Sequence, residues 1–214
     1  MLTSELFDLG PVLPVVVLRD PADAVPLARA LLSGGVRTME LTLRTPVALA
    51  AIKRVAAEVP EMIVGAGTVV EPAQAADAVR AGARFLVSPG SPLTLVAAML
   101  DQGVPVLPGV STATEAMAVH AMGLTEMKFF PAAASGGPAY LRALADPLPG
   151  LSFCPTGGVR PENLADYLAL PNVRCAGGTW LTPDALVRAG DWKAISEIAA
   201  AAAGSGTGQR ADEG

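Results

Sequence analysis

Eight short apolar runs that alternate with helix-periodic stretches, and the lack of a dinucleotide-type glycine loop, predict an α/β fold: a closed (β/α)8 TIM barrel. Strand–helix alternation along the whole chain implies a parallel sheet with right-handed crossovers. The units recur at intervals of roughly 20–25 residues, the compact limit for such a barrel. An open doubly wound sheet would carry G-x-G-x-x-G after its first strand, and LRDPADA has no such loop.

The elements follow in order. PVVVLR (14–19) is the first strand. Asp20-Pro21 opens the helix-periodic AVPLARALLSGG, which stops at Gly34. TMELTLRT (38–45) is the second strand, with PVALAAIKRVAAEV as its helix. MIVGAGTVV (62–70) is the third; Glu71-Pro72 starts the next helix, PAQAADAVRAG, and Gly82 ends it. RFLVSPG (84–90) and VPVLPGV (104–110) are the fourth and fifth, with Gly103 ending the helix between them. TATEAMAVHAMG reaches its stop at Gly123 before the sixth strand, EMKFFPA (126–132). LSFCPTGG (151–158), the helix ENLADYLAL opened by Arg160-Pro161, and RCAGGTWL (174–181) complete the set. Residues 1–203 thus read as a single barrel domain with a short N-terminal helical segment. Residues 204–214, GSGTGQRADEG, read as a disordered tail.

Composition narrows the function. Hydrophobic residues make up 51% of the chain and charged residues 16%, the balance of a globular protein. A net charge of −5 without a basic stripe excludes nucleic acid as the main partner. Cys154 and Cys175 match neither a disulfide framework nor a zinc spacing, and their apolar surroundings suggest inert buried thiols. The single histidine, His120, leaves no multi-histidine metal site and no His-based triad, so it reads as a helix-surface or interface residue. MLTSELFDLG lacks a basic region ahead of a long apolar core, so it does not read as a signal peptide. No apolar run reaches the ~20 residues of a membrane span. The expectation is a cytoplasmic protein without membrane contact.

Chemistry enters at the strand ends. In MELTLRT (39–45), Met39, Leu41 and Leu43 share one face, while Glu40, Thr42 and Arg44 share the other. In a barrel the apolar face meets helices and the polar face lines the interior toward the C-terminal mouth, where active sites lie. Of three lysines, Lys53 and Lys193 sit on helices with a solvent face, whereas Lys128 lies inside a buried-strand run. A buried lysine is costly unless paired or neutralised. Burial and a cation such as Arg44 favour the neutral amine, which is the nucleophile; a structural ion pair with Glu40 is the alternative. The last two strands end in PTGGVRPEN and CAGGTWLTP, where barrels of this kind bind phosphate through backbone N–H groups and a helix N-terminus; plain turn chemistry is the alternative for either alone. Thr156 and Thr179 add hydroxyls there, Thr68 ends the third strand, and Ser88-Pro89-Gly90 ends the fourth. Arg19, at the end of the first strand, is a further anion contact or an exposed ion pair. An amine for a ketone, an acid/base, a cation for a carboxylate and a phosphate cradle together suit a phosphorylated 2-keto acid undergoing carbon–carbon cleavage or formation.

GGVRTMELTLRT, VGAGTVV, FLVSPG, LPGVSTATE, MKFFPA, FCPTGGV and CAGGTWL, in that order from about Pro11 to about Ala200, resemble the 2-keto-3-deoxy-6-phosphogluconate (KDPG) aldolase family. That family also includes 4-hydroxy-2-oxoglutarate (KHG) aldolase activity, and its members are class I aldolases of the Entner–Doudoroff pathway. The resemblance implies that Lys128 forms the Schiff base and that Glu40 is the general acid/base. It puts Arg44 and Thr68 at the substrate carboxylate and has Pro89 and Phe130 lining the pocket. Thr156-Gly157-Gly158 and Gly177-Gly178-Thr179 match the family's phosphate-end motifs. It further implies a phosphorylated 2-keto acid substrate, pyruvate as product, a homotrimer, and no metal or other cofactor. Two positions depart from the family: Ala133-Ala134-Ser135 stands where a glutamate commonly follows KFFPA, and Thr179 stands for a serine. The first bears on aldehyde preference; the second keeps the hydroxyl. Two other readings use the same barrel, a sugar-phosphate isomerase or epimerase and a non-catalytic phosphometabolite-binding protein.

Overall fold

A parallel strand that is apolar on one face and polar on the other needs a helix against the first and an enclosed space for the second. The chain, described over residues 2–205 by a computed structural model, meets both needs by alternating strands with helices. In order, the strands are β1 (Val12–Val16), β2 (Thr38–Thr42), β3 (Ile63–Gly67), β4 (Leu86–Val87), β5 (Val106–Leu107), β6 (Gly109–Val110), β7 (Glu126–Phe129), β8 (Ser152–Pro155) and β9 (Ala176–Gly178). The helices are α1 (Thr3–Phe7), α2 (Ala24–Ser33), α3 (Ala48–Glu58), α4 (Pro72–Arg80), α5 (Leu93–Leu100), α6 (Ala113–His120), α7 (Gly137–Ala145), α8 (Pro161–Leu168), α9 (Asp184–Ala189) and α10 (Trp192–Gly204). The tail expected from Gly204 lies outside the described residues from 206 onward, and Gly204 itself is the last residue of α10. Among the described residues no helix is long and apolar enough to cross a membrane.

The sheet is not the closed eight-stranded TIM barrel that the repeat predicts. Hydrogen bonding divides it into a curled six-stranded sheet, in the order β5-β4-β3-β2-β1-β9, and a separate three-stranded sheet, β6-β7-β8. Pro108 marks one seam: lacking an N–H, it splits the expected fifth strand into β5, which pairs with β4, and β6, which pairs with β7. The other seam lies between β8 and β9, where only isolated bridges, Phe153 to Val173 and Thr156 to Gly177, take the place of a ladder. The result is an open α/β half-barrel with a small second sheet.

Two cores follow from the strand parity. Met39, Leu41, Val64, Ala66, Leu86, Met127 and Phe129 belong to a large cluster shared with the helices. A second cluster gathers Leu13, Ile63, Phe85, Val87, Leu107, Cys154 and Cys175 with Leu6 and Phe7 of α1. Helix starts follow their sequence signals. Glu71 and Arg160 are N-caps with proline next, whereas Asp20, accepting from the Ala22 N–H at 2.8 Å, caps a short 3-10 turn, Pro21–Asp23, and α2 begins only after it at Ala24. At the start of α6 one oxygen of Glu115, Oε2, accepts from the N–H groups of Ser111 (2.8 Å) and Thr112 (2.9 Å) and from both hydroxyls at 3.0 Å.

Candidate active site

The alternation of β2 puts Glu40 and Thr42 opposite Met39 and Leu41, and all four are buried. β7 carries Lys128, 3% exposed, between Met127 and Phe129. The two strands belong to different sheets, yet Lys128 Nζ donates to Glu40 Oε1 at 3.3 Å across the interior. Glu40 is 1% exposed, and its second oxygen, Oε2, is buried without a hydrogen-bond partner. An ion pair out of water is held at a desolvation cost that its mutual attraction must offset. A carboxylate oxygen without a protein partner adds to that cost. The Lys128 ammonium also lies 5.2 Å from the Phe130 ring centroid.

Thr42, between Glu40 and Arg44 in sequence, does not face this pair through its hydroxyl. Its Oγ1 donates to the Val16 carbonyl at 2.9 Å, and Thr45 does the same to Leu18 at 2.7 Å. Both tie β2 to β1, whose ladder ends at Val16 and Leu41. Arg44 is exposed and donates from Nε to Thr68 Oγ1 at 3.2 Å. Thr68 is held at φ 59°, a left-handed conformation that costs a β-branched residue of the order of 1–3 kcal/mol. Arg44 and Thr68 therefore form a second group at the end of β3. Pro89, half-buried, presses its backbone against Gly109 at the start of β6.

The two glycine turns are built differently. Gly157 and Gly158 sit at φ 94° and 80°, which favours glycine, and lead into α8 three residues later. Gly177 and Gly178 have ordinary backbone, but a Cβ on Gly177 would overlap the Thr156 hydroxyl and one on Gly178 the Trp180 indole. Thr156 is buried and donates to the Cys154 carbonyl at 3.3 Å, whereas Thr179 is exposed. The segment after β7 is laced to the first turn: Ala132 N–H donates to the Thr156 carbonyl (2.8 Å) and Ala133 N–H to the Gly157 carbonyl (3.0 Å). The Phe130 ring rests against Gly157, 3.3 Å from where a Cβ would stand, so it touches both the amine and the turn.

Of the remaining candidates, Cys154 is paired in register with Lys128 on the neighbouring strand, while His120 and Arg19 lie on the exposed surface. Cys154 and Cys175 are free and buried, and the hydrogen bond between them, with burial, holds the Cys175 thiol well above the usual range. His120 is exposed, with Nδ1 3.2 Å from the Leu124 carbonyl. Arg19 is exposed and 3.9 Å from Asp184. Among the described residues no three His, Cys, Asp or Glu side chains gather as a metal site. Sequence reasoning passed over Gly67, whose Cα lies beneath the Glu40 side chain. A glycine inside a strand signals a close approach, but the approaching group was hidden because β2 and β3 pair only in the folded sheet.

A buried amine beside a buried carboxylate can attack a carbonyl while the carboxylate moves protons. Comparison with known proteins bears on which carbonyl. The family model for KDPG and KHG aldolase matches residues 4–198. The chain is 49% identical over 206 residues to a 2-dehydro-3-deoxy-phosphogluconate aldolase of Pseudoalteromonas atlantica, covering 96% of each chain. It is 50% identical over 196 residues to a KHG/KDPG aldolase of Escherichia coli, covering 92% of each. Among solved structures, a KDPG aldolase of Legionella pneumophila, with pyruvate captured as a covalent carbinolamine, superposes with a TM-score of 0.92. That chain is 43% identical, and the match covers 94% of this chain and 98% of that one.

Proposed function

The chain belongs to the KDPG and KHG aldolase family, and from that premise we propose how it cleaves 2-keto-3-deoxy-6-phosphogluconate to pyruvate and glyceraldehyde 3-phosphate. It is an aldehyde-lyase of the Schiff-base class, and the reading extends to cleavage of 4-hydroxy-2-oxoglutarate to pyruvate and glyoxylate. The observation that carries the residue assignment is the 3.3 Å contact between Lys128 Nζ and Glu40 Oε1, both buried. The carbinolamine captured in the Legionella relative supports the same chemistry.

Lys128 gives a proton to Glu40 and its free lone pair attacks the C2 ketone, while Arg44 and Thr68 hold the carboxylate. The carbinolamine loses water with Glu40 as proton donor, leaving a protonated imine. That cation accepts the electron pair of the C3–C4 bond as Glu40 removes the C4 hydroxyl proton. The aldehyde leaves, the enamine is protonated at C3, and water hydrolyses the pyruvyl imine to free Lys128. Pro89 and Phe130 exclude water beside the reacting carbons. Thr156, Gly157, Gly158, Gly177, Gly178 and Thr179 take the 6-phosphate, with the α8 N-terminus behind it. A homotrimer in the cytoplasm completes the proposal; light scattering on the purified chain tests the first.

Borohydride reduction with pyruvate present, followed by mass spectrometry, tests the central step. A pyruvate-sized adduct on Lys128 is the expected result; an adduct on Lys53 or Lys193, or none, overturns it. Comparing kcat/KM for 2-keto-4-hydroxy acids with and without the phosphate tests the turns. Equal values would remove their assignment.

A further inference from the structure

We infer that Gly67 is a positioning residue for the reaction: the bare Cα at the end of β3 is the bed on which the Glu40 side chain lies to reach Lys128. The inference rests on the reading of Glu40 as acid/base given above. Gly67 is paired in register with Thr42, and its carbonyl accepts from the Leu43 N–H at 2.8 Å, so its backbone is that of an ordinary strand. Its φ lies outside the left-handed region, and conformation therefore gives no reason for glycine. Space does. A Cβ built on Gly67 would overlap Oε1 and Cγ of Glu40 and stand 2.5 Å from Cδ, so the carboxyl arm runs flat across this Cα.

Oε1, the oxygen that meets a Cβ there, is also the one that accepts from Lys128. A methyl group at Gly67 therefore cannot be accommodated by a shift of an idle end of the side chain. It must lift the buried carboxylate off its partner or push β3 away from β2, where five residue pairs are in register. Thr68 follows directly, so Gly67 also joins the acid to the Arg44–Thr68 group. Acid/base catalysis needs the carboxylate within hydrogen-bond reach of its proton, and misplacement of about 1 Å is costly. Gly67 contributes by what it lacks.

A double-mutant cycle tests this. Gly67→Ala is made in the wild type and in Glu40→Gln, and exchange of the pyruvate methyl protons with D2O is measured. That exchange reads enamine formation without carbon–carbon cleavage. Borohydride trapping on Lys128 is followed in parallel. Gly67→Ala is expected to slow exchange and cleavage by about 10²-fold or more while trapping persists, and to add less than about threefold in Glu40→Gln, because both changes remove one function. An equal loss in both backgrounds, or full activity in Gly67→Ala, overturns the inference. Full exchange in Glu40→Gln would instead sink the acid/base reading. The thermal midpoint then decides the packing question alone, including for a Gly67→Ala protein too unstable to assay. The midpoint falls in the wild-type background but not in Glu40→Ala, where the overlapping arm is gone; a fall in both overturns it.

Discussion

Two glutamates in this chain are held in opposite ways. Glu115, at the start of α6, is largely exposed, and a single one of its oxygens takes four hydrogen bonds from Ser111 and Thr112. Glu40, inside the half-barrel, is 1% exposed, has one partner at 3.3 Å and leaves an oxygen empty. The first is placed where its hydrogen bonds cost little and serve the helix. The second is placed where a missing bond is costly, and no group of the protein itself meets its second oxygen. The acid/base role proposed for Glu40 calls for an oxygen that protein hydrogen bonds leave uncommitted, whereas a cap needs none.

The sharpest way to break this contrast is to remove the partner of Glu40. Lys128→Met keeps the stem of the side chain and deletes the proposed nucleophile. Turnover should fall below detection and borohydride should trap no pyruvate. Residual imine on another lysine would show that the pair is structural. Glu40→Gln comes next. Gln fills the same bed on Gly67 and still accepts from Lys128, so the fold should persist while kcat drops about 10²–10⁴-fold. Trapping by excess pyruvate should survive on a longer time scale. A loss of trapping equal to that of Lys128→Met would mean that the carboxylate is needed to form the imine at all.

A smaller effect is expected at the glycine turns, where the two pairs are glycine for different reasons. Gly158→Ala puts a methyl at φ 80° and against the Ala133 methyl, a strain of about 1 kcal/mol or more. It should lower kcat/KM more for a phosphorylated than for an unphosphorylated substrate. Gly178→Ala instead has to displace the Trp180 indole. Its cost should fall mainly on the thermal midpoint, and a Trp180→Ala background should relieve it. If both variants lost phosphate discrimination equally without that relief, the distinction between the turns would fail.

How much of this could be read from the sequence depended on the range of the interaction. Parity along single strands gave the apolar face of Met39 and Leu41 and the interior face of Glu40, and it singled out Lys128 among three lysines. Helix starts and stops are local, and Glu71-Pro72, Arg160-Pro161 and Gly82 lie where their signals indicate. Closure of the barrel is not local. The repeat counts eight strands, but Pro108 removes a donor at one seam, and β9 is only three residues long at the other. Thr42 was likewise beyond reach, because its acceptor is the carbonyl of Val16 on another strand. Gly67 was hidden for the same reason.

The last and smallest effect belongs to Glu115. Partial burial alone would raise its carboxyl, but the hydrogen bonds from Ser111 and Thr112 outweigh this and hold it below the ordinary value. A group lowered in the folded state adds stability above its unfolded pKa and loses that contribution as the pH falls through the folded one. Glu115→Gln should therefore cost on the order of 0.5–1 kcal/mol at neutral pH, the scale of an exposed helix cap. The two proteins should converge in acid, and kcat should not change. Urea unfolding of both from pH 7 downward checks the first two points, and steady-state turnover checks the third. A gap that persisted in acid would mean that Gln fails to cap for reasons other than charge. A fall in kcat would tie the α6 start to the chemistry and erase the division of labour between the two glutamates.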